Sequence, residues 1–270
     1  MSSVPLLRQL ARAAAACSLV SVGACSGITD STPTINRYGA VNITARSNSA
    51  TQATAAATVI FFDAFSIAIP NSALQQTDQC EFLGADSVFT EVRGQKRAGA
   101  AIALTAGPNR LSLDYSVLLF RYATPRNMPF TYTAGDVAEI AIPGDPENFP
   151  AISIGVKLAE PIVPGAIATP AAGEPLTVRW NALNDPSAAV IISLKYASSP
   201  TALRANAQIY CAARDDGEFV LPASALTAFQ ASPPALRSLQ LTRWRTNELL
   251  IDAATILHIA SSVDTVIVLP

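Results

Sequence analysis

Ile209-Tyr210-Cys211-Ala212-Ala213-Arg214-Asp215-Asp216-Gly217-Glu218-Phe219-Val220-Leu221 sets two short β-type runs on either side of Asp-Gly. Glycine tolerates positive φ, so Asp-Gly between apolar runs is a strong hairpin signal. Working outward, the same grammar repeats. Strand-like runs at Leu176–Trp180, Ala189–Tyr196, Ser238–Trp244, Thr255–Ala260 and Thr265–Leu269 are each bounded by Gly, Pro, Asn or Asp. Upstream the runs are Val41–Ala45, Thr58–Ile69, Ser87–Val92, Ala100–Thr105, Leu111–Leu119, Val137–Ile142 and Ile152–Leu158. A short helix is expected only at Ala223–Phe229, after Pro222. Spacings of this kind argue an all-β chain of two antiparallel β-sandwich domains.

Pro161, Pro164, Gly165, Pro170, Gly173 and Pro175 crowd one region. The expected organisation is a signal peptide over 1–24, a tether over 25–37 and a first sandwich over 38–160. A Pro/Gly-rich linker over 161–174 and a second sandwich over 175–270 complete it.

Arg8 and Arg12 precede an uncharged run, Ala13–Ala24, which ends at Val22-Gly23-Ala24-Cys25. Charge, then apolar residues, then small residues is the layout of a secretory signal, and the run is too short to span a bilayer. A Cys directly after a small-residue cleavage site resembles the bacterial lipobox, which implies that Cys25 receives lipid and becomes the mature N-terminus. Ser26 at the next position resembles sorting to an outer membrane. The alternative is cleavage after Ala24 without lipid. The expected location is therefore the cell envelope, with the membrane contacted through the N-terminal lipid.

The chain has 18 basic and 20 acidic residues, and 14% of residues are charged against a usual quarter. No basic face argues for nucleic acid. Four cysteines are present. Cys17 leaves with the leader; if Cys25 is lipidated, Cys80 and Cys211 remain as an even pair in an oxidising compartment, where disulfides persist. Two free buried thiols are the alternative.

Tyr132-Thr133-Ala134-Gly135-Asp136, Ile142-Pro143-Gly144 with Pro150-Ala151, Leu176–Trp180, Ile209–Cys211 with Asp215–Ala223, and Leu239–Arg243 come in a familiar order. Over about residues 98–270 the chain resembles a loose group of uncharacterised bacterial lipoproteins and secreted proteins with Ig-like or fibronectin-III-like sandwiches. Leu176–Trp180 is similar to the second strand of fibronectin-III domains, which implies a core position for Trp180. The group implies fold and location and carries no activity.

For chemistry, the densest acid cluster is Asp215, Asp216 and Glu218, which reads as a solvated turn. A calcium loop on Asp215 and Asp216 is the functional alternative, but the alternating acids and distal Glu of an EF-type loop are missing. The single histidine, His258, reads as a strand residue sharing a face with Ile256 and Ala260. No Gly-x-Ser-x-Gly elbow accompanies it, and no cofactor is expected. Tyr122, Tyr132, Phe120, Phe130, Tyr196 and Trp244 could form a platform for sugar rings or peptide. Trp244 is the best exposed candidate, flanked by Arg243 and Arg245.

The leading expectation is a non-enzymatic, lipid-anchored protein that binds an envelope protein or glycan, in adhesion, scaffolding or ligand capture, through sandwich loops. The alternatives are a carbohydrate hydrolase pairing Asp114 or Asp136 with Glu218, and a calcium-dependent module. Intact-mass analysis of membrane-extracted protein should find a chain beginning at Cys25 plus lipid. A lipid-free mass removes the anchor.

Overall fold

A computed structural model describes residues 35–63, 78–84, 95–125, 128–199, 201–267 and 269. The leader, Cys25, most of the tether, the Ser87–Val92 run and the end of the Thr58–Ile69 run lie outside them. In chain order the strands are β1 (Arg37–Ser47), β2 (Gln52–Asp63), β3 (Gln79–Gly84), β4 (Gln95–Lys96), β5 (Ala101–Ala106) and β6 (Asn109–Ser116). Then come β7 (Arg121–Ala123), β8 (Phe130–Thr133), β9 (Val137–Ile142), β10 (Ile152–Lys157), β11 (Leu176–Arg179) and β12 (Ala188–Tyr196). After β13 (Ala207–Arg214) and β14 (Glu218–Leu221), helix α1 (Ala223–Ala231) precedes the two long strands β15 (Ser238–Asp252) and β16 (Thr255–Ile267). The fold is all-β and sandwich-like.

One 14-stranded sheet runs β10-β9-β5-β6-β7-β2-β1-β16-β15-β12-β13-β3, with β4 and β8 also on β2. A second sheet holds only β11 and β14. The expected break between Thr255–Ala260 and Thr265–Leu269 is absent, because β16 runs straight through Ser261, Ser262 and Val263. It pairs antiparallel with β15 and parallel with β1, Val41 lying opposite Ile259. That parallel pair departs from the all-antiparallel expectation. It joins strands far apart in sequence, which need no hairpin turn between them.

Asp216-Gly217 is likewise not a hairpin. β13 pairs with β12 and β3, whereas β14 pairs with β11, so the turn carries the chain from one sheet to the other. Gly217 has φ +100°, and a Cβ there would meet the Ala182 Cβ at 3.1 Å and the Trp180 carbonyl oxygen at 3.3 Å. The Gly217 carbonyl instead accepts the Trp180 N–H at 3.0 Å. The turn chemistry is as read, but the partner strands differ.

Among the described residues two large apolar cores result, beside a small cluster of Tyr38, Ala40 and Phe62. The first packs Val41, Ile43, Val59 and Phe61 of the central strands against Ile102, Leu104, Leu113 and Ile140. The second packs Val190, Ile192, Leu194, Ile209 and Leu241 under Val178, Trp180, Leu221, Leu226 and Phe229. Trp180 is buried there, as the resemblance to a fibronectin-III second strand implies. The Cys80–Cys211 disulfide joins β3 to β13 at directly opposed positions, with Cα atoms 4.0 Å apart.

β15 belongs to both cores. Its inward positions read Leu239 and Leu241 in the second core, then Arg243 and Arg245, then Leu249 and Ile251 against the first. The two arginines are 0% and 3% exposed, so neither is a surface ligand-binding residue. Period-two alternation places them on the leucine face and leaves only Trp244 outside.

Burying them is tolerable because every guanidinium nitrogen finds an acceptor. Arg243 donates from Nε to Asp215 Oδ2 at 2.9 Å and from Nη2 to Asp215 Oδ1 at 3.0 Å. Its remaining donors reach the carbonyls of Pro161 at 2.8 Å, Glu160 at 3.3 Å and Asn181. Asp215 Oδ1 also accepts the Trp180 indole N–H at 2.9 Å. Asp215 is thus a buried counter-ion, not part of a solvated turn, and its oxygens are committed to protein donors instead of a calcium loop. Arg245 holds the Glu160 carboxylate with 2.7–2.9 Å bonds and reaches Asp185 Oδ2 at 2.9 Å, where Lys157 joins at 3.2 Å.

The strap 158–163, where the Pro/Gly-rich stretch begins, crosses this seam. The Ala159 N–H donates to Ser261 Oγ, the Tyr132 hydroxyl donates to the Ala159 carbonyl, and the Ile162 N–H donates to Ser47 Oγ. Pro161 and Ile162 are buried, so this part of the stretch is a fixed strap.

Removing Arg243 strands a buried carboxylate and three carbonyls. Arg243→Met should cost about 3–5 kcal/mol in urea unfolding, and adding Asp215→Asn should recover part of it, since the uncompensated charge goes while the indole keeps its acceptor. Burial pushes the Glu160 carboxyl up, but hydrogen bonds from Lys157 and Arg245 outweigh it and hold the group low. The Ser187 hydroxyl, then Arg245, holds Asp185 well below the usual range. Both carboxyls are lowered by folding, so their stabilisation is present above their unfolded values of about 4 and is lost as pH falls below them. The melting temperature should drop with acidification from about pH 4 downward, and Asp185→Asn should flatten that slope.

Candidate functional site

The outer face of the large sheet carries what the inner face does not use. Across β1, β16, β15, β12 and β13 the outward side chains include Asn42, Thr44, Ser262, Gln240, Thr242, Trp244, Ser193, Gln208 and Tyr210. They line an open groove of about 330 Å³.

Strand register fixes the layout. Trp244 stands between Ser262 and Ala189, while Tyr210 stands between Ser193 and Glu81. The two rings are two strands and four residues apart, roughly 16 Å by ideal strand spacing. Both are half-buried, with a body packed on the sheet and a face toward the groove.

Ile191 lies between the rings, and beside them are amides and hydroxyls with weak commitments. Gln240 Nε2 reaches Thr242 Oγ1 at 3.5 Å, and Ser193 Oγ reaches Gln208 Oε1 at 3.5 Å. Contacts of that length lie at the outer limit of hydrogen bonding, so a ligand hydroxyl can displace them at little cost. One charged side chain, Lys195, is among the lining residues. Burial pushes the Asp264 carboxyl up, partly offset by Arg46 and Lys195. Burial, then Glu81, pushes the Tyr210 phenol up, so it remains a neutral donor at neutral pH.

The other candidates do not join this groove. Tyr122, Tyr132, Phe130 and Tyr196 are core residues, and Phe120 is exposed at the β6–β7 turn. Asp114 accepts the Ser112 hydroxyl on β6, Asp136 caps the β8–β9 turn through the Thr133 N–H at 2.8 Å, and Glu218 pairs with Arg179 at 2.6 Å. Each carboxylate is thus spent locally. Asp216 accepts the Glu218 N–H at 3.4 Å. Among the described residues no group of three His, Cys, Asp or Glu side chains is placed to hold a metal ion.

His258 lies beyond the groove on the same face, nearly buried, with its ring 6.5 Å from that of Tyr38 and Glu248 opposite on β15. Burial holds it below its ordinary value, against the pull of Glu248. It is a packed strand residue, as its sequence setting indicates.

Sequence reasoning found Trp244 but missed Tyr210, Gln240, Gln208 and Ser193. Period two within each strand gives their side of the sheet; only strand order makes them neighbours. No protein-family model, curated protein or solved structure matches the chain.

Proposed function

We propose that this is an exported, non-enzymatic envelope protein, tethered by lipid on Cys25, that binds a glycan along the outer face of its large sheet. The carrying observation is the groove holding Trp244 and Tyr210, with Ile191 between them and under-committed Thr242, Gln240, Ser193 and Gln208 beside them. Sugar rings present flat C–H faces that pack on aromatic rings, and their hydroxyls both donate and accept. Gln and Ser or Thr side chains answer both roles. The roughly 16 Å between the rings suits several residues of an extended chain rather than a monosaccharide. The binding surface in this reading is a sheet face, where regular strands hold side chains more rigidly than the loops expected from sequence. The signal layout and the Cys80–Cys211 disulfide support an exported protein.

Titration of the protein with fragmented envelope polysaccharide should show binding that Trp244→Ala weakens by about tenfold, the scale of one lost aromatic stack. Tyr210→Phe should keep most of the affinity, and Arg179→Ala, outside the groove, should leave it unchanged. Equal binding by wild type and Trp244→Ala overturns the groove.

A further inference from the structure

The turn between β6 and β7 is Val117-Leu118-Leu119-Phe120. These side chains are 67%, 91%, 54% and 49% exposed. Scattered exposed apolar residues are ordinary, but four large ones in succession at a projecting tip are not. Phe120 also has φ +49°, a left-handed backbone that bulky residues rarely adopt and that Gly or Asn ordinarily fills. Phe120 belongs to neither apolar core. A strained, bulky, exposed residue that serves no core points to a role outside the fold.

The base of the hairpin has a different chemistry. Arg121 follows the tip directly and is exposed. Arg97, also exposed, lays its guanidinium 4.7 Å over the Tyr115 ring. Tyr115 in turn packs on Tyr122, with centroids 5.0 Å apart. From the tip inward the order is therefore aliphatic, then Arg and Tyr. That is the order of a bilayer surface, with acyl chains below and phosphates above, where tyrosine and arginine settle at the headgroups. A tip of four residues is too small for a stable dimer, which buries about 800 Å² per partner.

We propose that Val117–Phe120 inserts into a lipid surface, with Arg121 and Arg97 on the headgroup phosphates. This contact is separate from the glycan groove and from lipid on Cys25. If that lipid is present, the two attachments hold the molecule at two separate points and together fix its orientation on the surface.

Leu118→Trp in the full chain tests it with vesicles of phosphatidylethanolamine and phosphatidylglycerol, made with and without brominated acyl chains. The parent chain supplies the background of Trp180 and Trp244. Insertion predicts a blue shift of the added indole and quenching by the brominated lipid. In a Cys25→Ser full chain, Leu118→Asp with Leu119→Asp should reduce vesicle binding by about tenfold or more. Both changes are at exposed positions, and circular dichroism should be unchanged. An added indole that remains open to aqueous acrylamide on protein-laden vesicles overturns the proposal. A blue shift that grows with protein concentration in the absence of vesicles also overturns it, and assigns the tip to a second copy of the chain.

Discussion

The buried pair of Arg243 and Asp215 is the constraint on which the architecture depends. A guanidinium with no exposed surface must have all its donors met, and this one draws them from three separated stretches of chain: the strap carbonyls of Glu160 and Pro161, the carbonyl of Asn181, and the carboxylate of Asp215. Those demands fix where β10 hands over to β11, where the chain after β11 turns, and why β13 ends in a crossing to the second sheet. Arg245 repeats the logic one step along β15 with Glu160 and Asp185. The net stabilisation of such a pair is small against an apolar substitute. Its effect is on geometry, because a directional polar seam admits fewer arrangements than interchangeable leucines do.

Around that seam the molecule is two apolar cores sharing one sheet. β15 and β16 are long enough to serve both, and β16 closes the first core by lying beside β1. The division of the core near residue 160 therefore does not divide the sheet. A continuous sheet has a continuous outer face, and the groove with Trp244 and Tyr210 lies where β15, β12 and β13 run side by side. Inner and outer faces are linked through single strands. The alternation that buries Arg243 and Arg245 leaves Trp244 between them facing out.

Much of the strand content was legible. β9, β11, β12 and β14 fall within a residue of the runs read from alternation and turn residues, and α1 follows Pro222 as expected. The errors have identifiable causes. Asp-Gly specifies a tight turn but not which strands flank it as partners. Charge suggested exposure for Arg243, Arg245 and Asp215, although the alternation of Arg243 and Arg245 with Leu239 and Leu241 already pointed inward. The break expected within β16 falls at Ser261–Asp264, yet Ser261 is buried and its hydroxyl receives the Ala159 N–H.

What the sequence by itself determined is local: strand propensity, the side of a strand each residue occupies, turn positions, and a pair of cysteines suited to bridging. These depend on backbone sterics and period two, which act within a few residues. Only the tertiary structure decided that Cys80 and Cys211 are opposed on neighbouring strands, that β1 lies parallel to β16, and that Asp215 meets Arg243. It also decided that Trp244 and Tyr210 share a face. Each of these is a pairing between residues distant in the chain, set by which arrangement satisfies every buried donor and fills both cores at once.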